Sequence, residues 1–517
     1  TVSENYVFTE RNIMRRRSFL ASSAAAALAA SVGGCSKTKE GIFPSEHPVR
    51  IVNPVKPGKT VKSRYKQHDH DAVLAKMRSD ERYEKLLEQA RGSVEQLVSL
   101  SGDRLRGFIP PANTKRALMV HRKGCPVHGG GVAVYQPFGT SPDLSLPLQV
   151  KCPIGGEIYP NKDFPDDGQG WLDTRANSPT KGERYYFVGW FNEWFLNSLP
   201  GRIKVMAQIW FLTGEERYAQ AAQTLLARFM EVYPDIDGKD LTYDGTDWGV
   251  YIKMTATMWE GSALMNLVDS VELLLPALSD DFVRDFHAKA IRPAFEAYRA
   301  KPAPSNWGNV WNPPFAKFAD VTGDREILDY LLWEHPVAAA PVLDNQYFRD
   351  GFPYEAAFSY GSHYLNDSQN IARELGPNGE WIWEHPHMRA AFPAYADLVC
   401  LDRFTHFFGD TGGISNRGLT LSNEPLEEAW LRYRTPKLAR YLLQAYTVNG
   451  TSSSVSLNTL FEEEKTRPDI EELKQAAAKE PPLRSTLSPV RGFAIMRTGE
   501  GDNRTELFID YGYAHAA

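Results

Sequence analysis

VMAQIWFLTGEERYAQAAQTLL (residues 205–226) aligns without a gap on PFAKFADVTGDREILDYLLWEH (residues 314–335), with Thr213-Gly214 over Thr322-Gly323. Each copy carries apolar positions at helical spacing, a Gly turn, an acidic residue that opens the next helix, and a second apolar run. That pattern is an αα-hairpin. Hairpins of this kind recur between about 183 and 450 and are separated by long aromatic-rich connections. The expected fold is therefore mainly α, an incomplete (α/α) toroid or solenoid rather than a simple bundle.

Outward from the hairpins the texture changes. Residues 68–100 keep helical spacing with charges between the apolar positions, so the helical body is expected to span 66–450. Within it, 116–175 is dense in Gly and Pro and reads as an insertion of short strands and loops. Residues 451–485 lack a stable apolar stripe apart from one short charged helix and read as a linker. From 486 to 517, GFAIMR and ELFIDYG alternate as strands. Two strands cannot bury a sheet face alone, so the chain is expected to stop near the start of a truncated antiparallel β domain.

Length and charge narrow the function classes. The 517 residues are 42% hydrophobic and 24% charged with a net charge of -6, a globular composition that gives no bulk attraction for nucleic acid. The sequence leaves the oligomeric state open. At the start, residues 1–13 precede Met14 and stand outside the fold. Residues 14–35 combine Arg15, Arg16 and Arg17 with a short small-residue apolar run and then Cys35, the layout of an export signal. Arg16 to Leu20 resembles a twin-arginine signal, and Val32-Gly33-Gly34-Cys35 resembles a bacterial lipobox. Periplasmic or surface localisation with a lipid anchor on Cys35 is expected, followed by a tether over 36–65.

Cys125-Pro-Val-His128-Gly and Cys152-Pro-Ile-Gly155-Gly look like two copies of one knuckle. Cys125, His128 and Cys152 are candidate ligands for a structural metal, zinc or calcium, but a zinc site takes four ligands and Gly155 stands where a fourth is wanted. A Cys125–Cys152 disulfide or two buried thiols are the alternatives.

Twelve Trp are present, several beside Gly, Asn or Pro. Flat aromatic faces suit sugar rings, whose axial C–H groups present an apolar surface. Trp190, Trp248 and Trp307 are candidate binding residues on that ground, against the plainer reading that large helical cores use Trp for volume. In SNWGNVWNPPFAKFA, Asn306, Asn309 and Asn312 recur every third residue ahead of a helix. The stretch DGFPYEAAFSYGSHYLND (350–367) holds Glu355, Tyr360 and His363, with the last two on one helical face. His385 and His387 flank Pro386 at a helix start and are rim candidates.

The order NW-x-N, then DG-x-x-x-E-x-x-x-x-Y, then FGD at 408–410, then the GFAIMR and LFIDYG strands, resembles the heparinase II/III-like polysaccharide lyases over roughly 68–517. The resemblance implies an α/α toroid followed by an antiparallel β-sandwich, and β-elimination on a uronate-containing acidic glycan, with no cofactor needed for the chemistry. It also implies Asn306 as the group that neutralises the substrate carboxylate and Tyr360 as acid/base, with Glu355 orienting the tyrosine loop. Many members have His after that Asn; here Trp307 stands instead, and His363 is the candidate replacement. The resemblance puts further histidines past the end of this chain, with His515 the first candidate among them. An amide at the carboxylate stabilises the developing enolate, and a phenol can move the proton if its pKa is lowered from about 10. Two other readings stand beside this one. An α/α-toroid glycoside hydrolase would need two carboxylates across a cleft, from Glu355, Asp350, Asp247 and Asp410. A glycan-binding surface lipoprotein would keep the aromatic subsites without the chemistry.

Overall fold

The computed structural model describes residues 61–118, 125–129, 138, 142–238, 241–243, 252–254, 257–301, 310–335, 337–354, 358–406, 419, 421–451, 455–462 and 466–511. The chain divides into 1–51 and 52–517, and the first unit, with the export signal and Cys35, lies outside the described residues.

The body is mainly helical. Helices α1 (His70–Arg78) and α2 (Arg82–Val98) precede the two aligned hairpins. The first hairpin is α3 (Phe187–Thr213) with α4 (Glu216–Val232). After α5 (Thr257–Leu274) comes the second, α6 (Asn312–Thr322) with α7 (Arg325–Asp329), whose last turn loosens into a π turn over Tyr330–Glu334. The turns agree atom for atom. Gly214 and Gly323 both sit at φ 71° in the left-handed region, and their N–H groups donate to the Trp210 and Ala319 carbonyls. Thr213 Oγ1 donates to Ile209 O and accepts from Glu215 N; Thr322 Oγ1 donates to Phe318 O and accepts from Asp324 N. The hydroxyl supplies a partner to the first amide past the helix, and the left-handed residue reverses the chain without cost only if it is Gly.

Next come α8 (Ala339–Asn345), α9 (Phe358–Leu375) and α10 (Pro386–Asp397). Helices α3, α5, α6 and α9 pack in sequence order. Their last turns contribute Gln208, Leu273, Val321 and Glu374 to one cleft, so the four run parallel. Hairpin partners α4 and α7 run back outside them, a toroid-like arrangement. A third hairpin, α11 (Asn423–Tyr433) with α12 (Pro436–Asn449), turns at Arg434 with φ 51°.

Strands β1 (Arg116–Leu118), β2 (Val150–Lys151), β3 (Ile158–Tyr159), β4 (Trp171–Leu172) and β5 (Arg184–Tyr185) form the insertion, which extends past the expected limit at 175. β2 pairs with β3 and β4 with β5, while β1 pairs in parallel with β6 (Leu241–Tyr243), so the insertion closes on a distant loop. β7 (Val399–Cys400) and β8 (Phe404–Thr405) make a short hairpin.

Two stretches expected to be connectors are docked. At the end of the tether Tyr65 is buried with its hydroxyl 2.8 Å from His287 Nε2, and Arg64 donates to Asp320 O at 2.7 Å. The 451–485 linker carries α13 (Asn458–Phe461) and α14 (Ile470–Ala477). α14 packs on α12, and α13 is tied to α1 through Lys76 Nζ on Thr459 O. The apolar anchors, Leu460 and Leu473, are too few to show as a stripe.

β9 (Thr486–Ser488), β10 (Phe493–Thr498) and β11 (Thr505–Asp510) form one antiparallel sheet in the order β11-β10-β9. Its inner face, with Phe493, Ile495 and Phe508, covers Phe352 and the β7–β8 hairpin, and Arg497 pairs with Glu506 beneath it. Leu487, Met496, Leu507 and Ile509 face outward and are exposed. A β-sandwich is not formed by these strands. Among the described residues no helix is long and apolar enough to cross a membrane.

Candidate functional site

The 350–354 turn is built to place the start of α9. Gly351 has φ 87°, and a Cβ there would lie 2.6 Å from Ala390 O on α10. Gly361 meets Pro353 as closely: a Cβ would lie 2.2 Å from its Cγ. Phe352 is buried against Phe493, and Tyr354 stacks on Phe348 with ring centroids 5.0 Å apart. Asp350 accepts from Ser488 Oγ and from Arg491 N at 3.1 Å, which ties the turn to β9 and withdraws this carboxylate from the hydrolytic candidates.

On that platform Tyr360 occupies the first turn of α9 and is half-buried. His363 follows one turn on, with ring centroids 6.2 Å apart and tilted by 43°. His363 keeps an exposed edge, and desolvation by the surrounding chain lowers its pKa below the usual histidine value. The structure therefore brings Tyr360 and His363 together, an imidazole that desolvation biases toward its neutral form beside a half-buried tyrosine. Tyr347 behind the same turn is fully desolvated, and burial pushes its pKa far up. Asn306, Trp307, Asn309, Glu355 and Trp248 lie outside the described residues, as do Asp247, Asp410 and His515.

Other sequence candidates are used for packing. Trp190 is only 2% exposed, against Phe138 and Trp194, and has no face left for a sugar. Trp311, Trp383 and Trp430 are likewise core, so volume explains these tryptophans. His385 is buried: its Nδ1 accepts from His387 N as the cap of α10, and its Nε2 lies 3.1 Å from Asp344 Oδ1. His387 Nδ1 donates to Leu343 O at 2.6 Å and its ring stacks on Tyr347. Both histidines tie α10 to α8 instead of lining a rim. Asn312 is wholly buried, its amide bonded to Val337 O and His335 Nε2. Cys125 and Cys152 are both free thiols with sulfurs 3.4 Å apart, so the expected disulfide alternative is not formed.

A second assembly escaped the sequence reading. At the C-terminal ends of α3, α5, α6 and α9 lies a cleft of about 760 Å3 lined mostly by charged side chains. Asp269 accepts from Lys204 at 2.8 Å and Lys317 at 2.6 Å; Glu272 lies 3.3 Å from Lys317 and 3.0 Å from His68 Nε2. Burial disfavours the charge on Asp269, but the two lysines outweigh it and lower its pKa. Glu374 goes the other way: burial raises its pKa to about 7, only partly offset by Lys317. One carboxylate is thus held ionised while its neighbour keeps a proton near neutrality, the division that acid/base chemistry requires. The single visible signal was Lys317 inside the apolar run PFAKFAD, at the position that aligns with Gln208. Both line the cleft.

No protein-family model matches the chain, and no curated protein matches it. Among solved structures, one described as a heparinase III gene product aligns with a TM-score of 0.39 at 13% identity, over 60% of this chain and 46% of that one. That is a coarse likeness, and no residue is carried over from it.

Proposed function

We propose that the protein is an exported polysaccharide lyase that cleaves an acidic, uronate-containing glycan by β-elimination, with Tyr360 as acid/base. The observation that carries this is the setting of Tyr360: a half-buried tyrosine in the first turn of an eighteen-residue helix, with the His363 ring one turn on and 6.2 Å away between centroids. The sequence order of Asn306, Tyr360 and the terminal strands supports the same reading. In it, Asn306 neutralises the substrate carboxylate, Tyr360 takes the α-proton and returns one to the leaving oxygen, and His363 relays or replaces it. Export and lipid attachment at Cys35 belong to this proposal on the strength of Arg16–Leu20 and Val32–Cys35.

The test is incubation with a panel of uronate polysaccharides while following absorbance of the unsaturated product. Tyr360→Phe is expected to lower the rate by roughly 10²–10⁴-fold, the usual worth of a positioned acid/base. An active Tyr360→Phe enzyme would end the proposed mechanism. A second reading rests on the Glu374–Asp269 division in the charged cleft: a glycoside hydrolase would give reducing ends without that chromophore and would lose activity in Glu374→Gln.

A further inference from the structure

The two knuckles of the insertion are one turn used twice. Gly129 and Gly156 sit at φ 73° and 78°, and their N–H groups donate to the carbonyls of Cys125 at 2.9 Å and Cys152 at 3.0 Å. In each turn the amide three residues on points at the sulfur, His128 N at 3.1 Å and Gly155 N at 3.4 Å. Backbone N–H groups aimed at sulfur suit a thiolate better than a thiol. The turns face each other, so the sulfurs are 3.4 Å apart and His128 Nδ1 lies 3.4 Å from Cys125 Sγ and 3.6 Å from Cys152 Sγ.

A fourth donor is present that the motif alone does not reveal. Glu157 Oε2 lies 3.4 Å from His128 Nδ1, is shielded from solvent, and has no hydrogen-bond partner. The Glu157 carbonyl accepts from Cys152 N at 2.8 Å, which anchors its backbone beside the site. Gly155 stands where a fourth ligand was sought, and it is glycine for a reason. A Cβ there would fall 2.1 Å from His128 Cε1 and 2.2 Å from Glu157 Oε2, and would push both donors out.

We propose that Cys125, His128, Cys152 and Glu157 bind one zinc ion in a closed tetrahedral site. Zinc–sulfur bonds of about 2.3 Å and zinc–nitrogen or –oxygen bonds of about 2.0 Å put tetrahedral donors roughly 3.3–3.8 Å apart. The separations among Cys125 Sγ, Cys152 Sγ and His128 Nδ1 fall in that range, the sulfur pair needs to open by only a few tenths of an ångström, and the Glu157 carboxylate, 3.4 Å from His128 Nδ1, has to swing toward the sulfurs to complete the tetrahedron. Two thiolates and an imidazole select zinc over calcium, which takes oxygen ligands. Both thiols release their protons to solvent on binding. Among the described residues a second cluster of metal-ligand type, Cys400, His406 and Glu506, differs because Arg497 already sits 3.2 Å from Glu506 Oε2. The zinc would staple the 125–129 turn to the β2–β3 hairpin, whose Tyr159 stacks on Phe187 at the start of α3. Arg175, donating to Pro126 O, extends the same staple toward β4.

The experiment is metal analysis of the full-length protein after exposure to zinc and removal of excess, with thiol titration before and after a chelator. About one zinc per chain, with two thiols unmasked only by the chelator, is expected. Glu157→Gln and His128→Asn should weaken zinc binding roughly tenfold or more while keeping the native circular dichroism spectrum. Cobalt substitution should give thiolate-to-metal absorption that is absent in Cys152→Ser. No bound zinc in a folded protein whose two thiols react freely, or a mass about two units lower from a Cys125–Cys152 disulfide, would overturn the site. Unchanged affinity in Glu157→Gln would overturn the fourth ligand. None of these readouts depends on lyase activity.

Discussion

Asn312 and His335 close a ring of hydrogen bonds in the core. Val337 N donates to His335 Nδ1 at 3.3 Å, so the proton sits on Nε2 and is donated to Asn312 Oδ1, while Asn312 Nδ2 donates to Val337 O at 2.8 Å. Burial lowers the His335 pKa to about 3. The folded-state value lies below the unfolded one, so the stability tied to neutral His335 is complete above about pH 6.5 and is lost as pH falls toward 3. Asn312→Ala leaves two buried groups unpaired and is expected to cost on the order of 3 kcal/mol at pH 7, read as a lowered urea midpoint. A midpoint within error of wild type would show that water repairs the gap. From sequence, Asn312 shared its i, i+3 rhythm with Asn306 and Asn309. Rhythm alone does not tell a buried bracket from a substrate amide; that depended on His335, a residue with no local mark.

Among the elements, the hairpins were legible because their turns demand particular atoms. Thr-Gly followed by an acidic residue satisfies the last amides and reverses the chain, so two hairpins could be read directly. The third was hidden because Arg434 takes the left-handed position. Its strain is offset by a 2.7 Å pair with Glu472 and by lying over the Trp430 ring. Backbone strain also ranks two glycines. At Gly214 a Cβ meets nothing, so Gly214→Ala is expected to cost only the left-handed penalty, about 1–2 kcal/mol. Gly351→Ala adds collision with the Ala390 carbonyl and is expected to lose clearly more, enough to displace the α9 start. Thermal melts of the two variants give the comparison, and equal losses would contradict it. One short charged helix was expected between 451 and 485 and α14 supplies it; the docking of α13 and α14 went unseen because each is held by one buried leucine and by polar ties to distant residues.

At the scale of the whole molecule, the charged cleft was illegible for a different cause. Lys204, Asp269, Lys317 and Glu374 sit on four separate helices, and apart from Lys317 in its apolar run each alone looks like an ordinary solvated charge. Their assembly sets a pH response opposite to that of His335. Glu374 titrates near 7 when folded and near 4.5 when unfolded, so its contribution is complete below about pH 4.5 and is lost as pH rises through 7. The loss is on the order of 3 kcal/mol. Between these values it opposes the histidine effect, and wild-type stability should change little. Glu374→Gln removes one side of that balance: its stability should climb from about pH 4.5 and level off near 6.5 in denaturant titrations. A variant profile that runs parallel to wild type would show that Glu374 is already ionised, and a flat one would contradict the histidine effect.

The parallel run of α3, α5, α6 and α9 also gives the molecule a polar axis. Peptide dipoles that point the same way add close to the inner helices, while the returning helices offset them farther out. At one end the start of α3 is already met by a carboxylate, Val188 N donating to Asp166 Oδ2 at 3.0 Å; at the other, beside the last turns, Lys204 and Lys317 hold Asp269. Any field along this axis acts only at short range, because salt mutes it beyond about 8 Å.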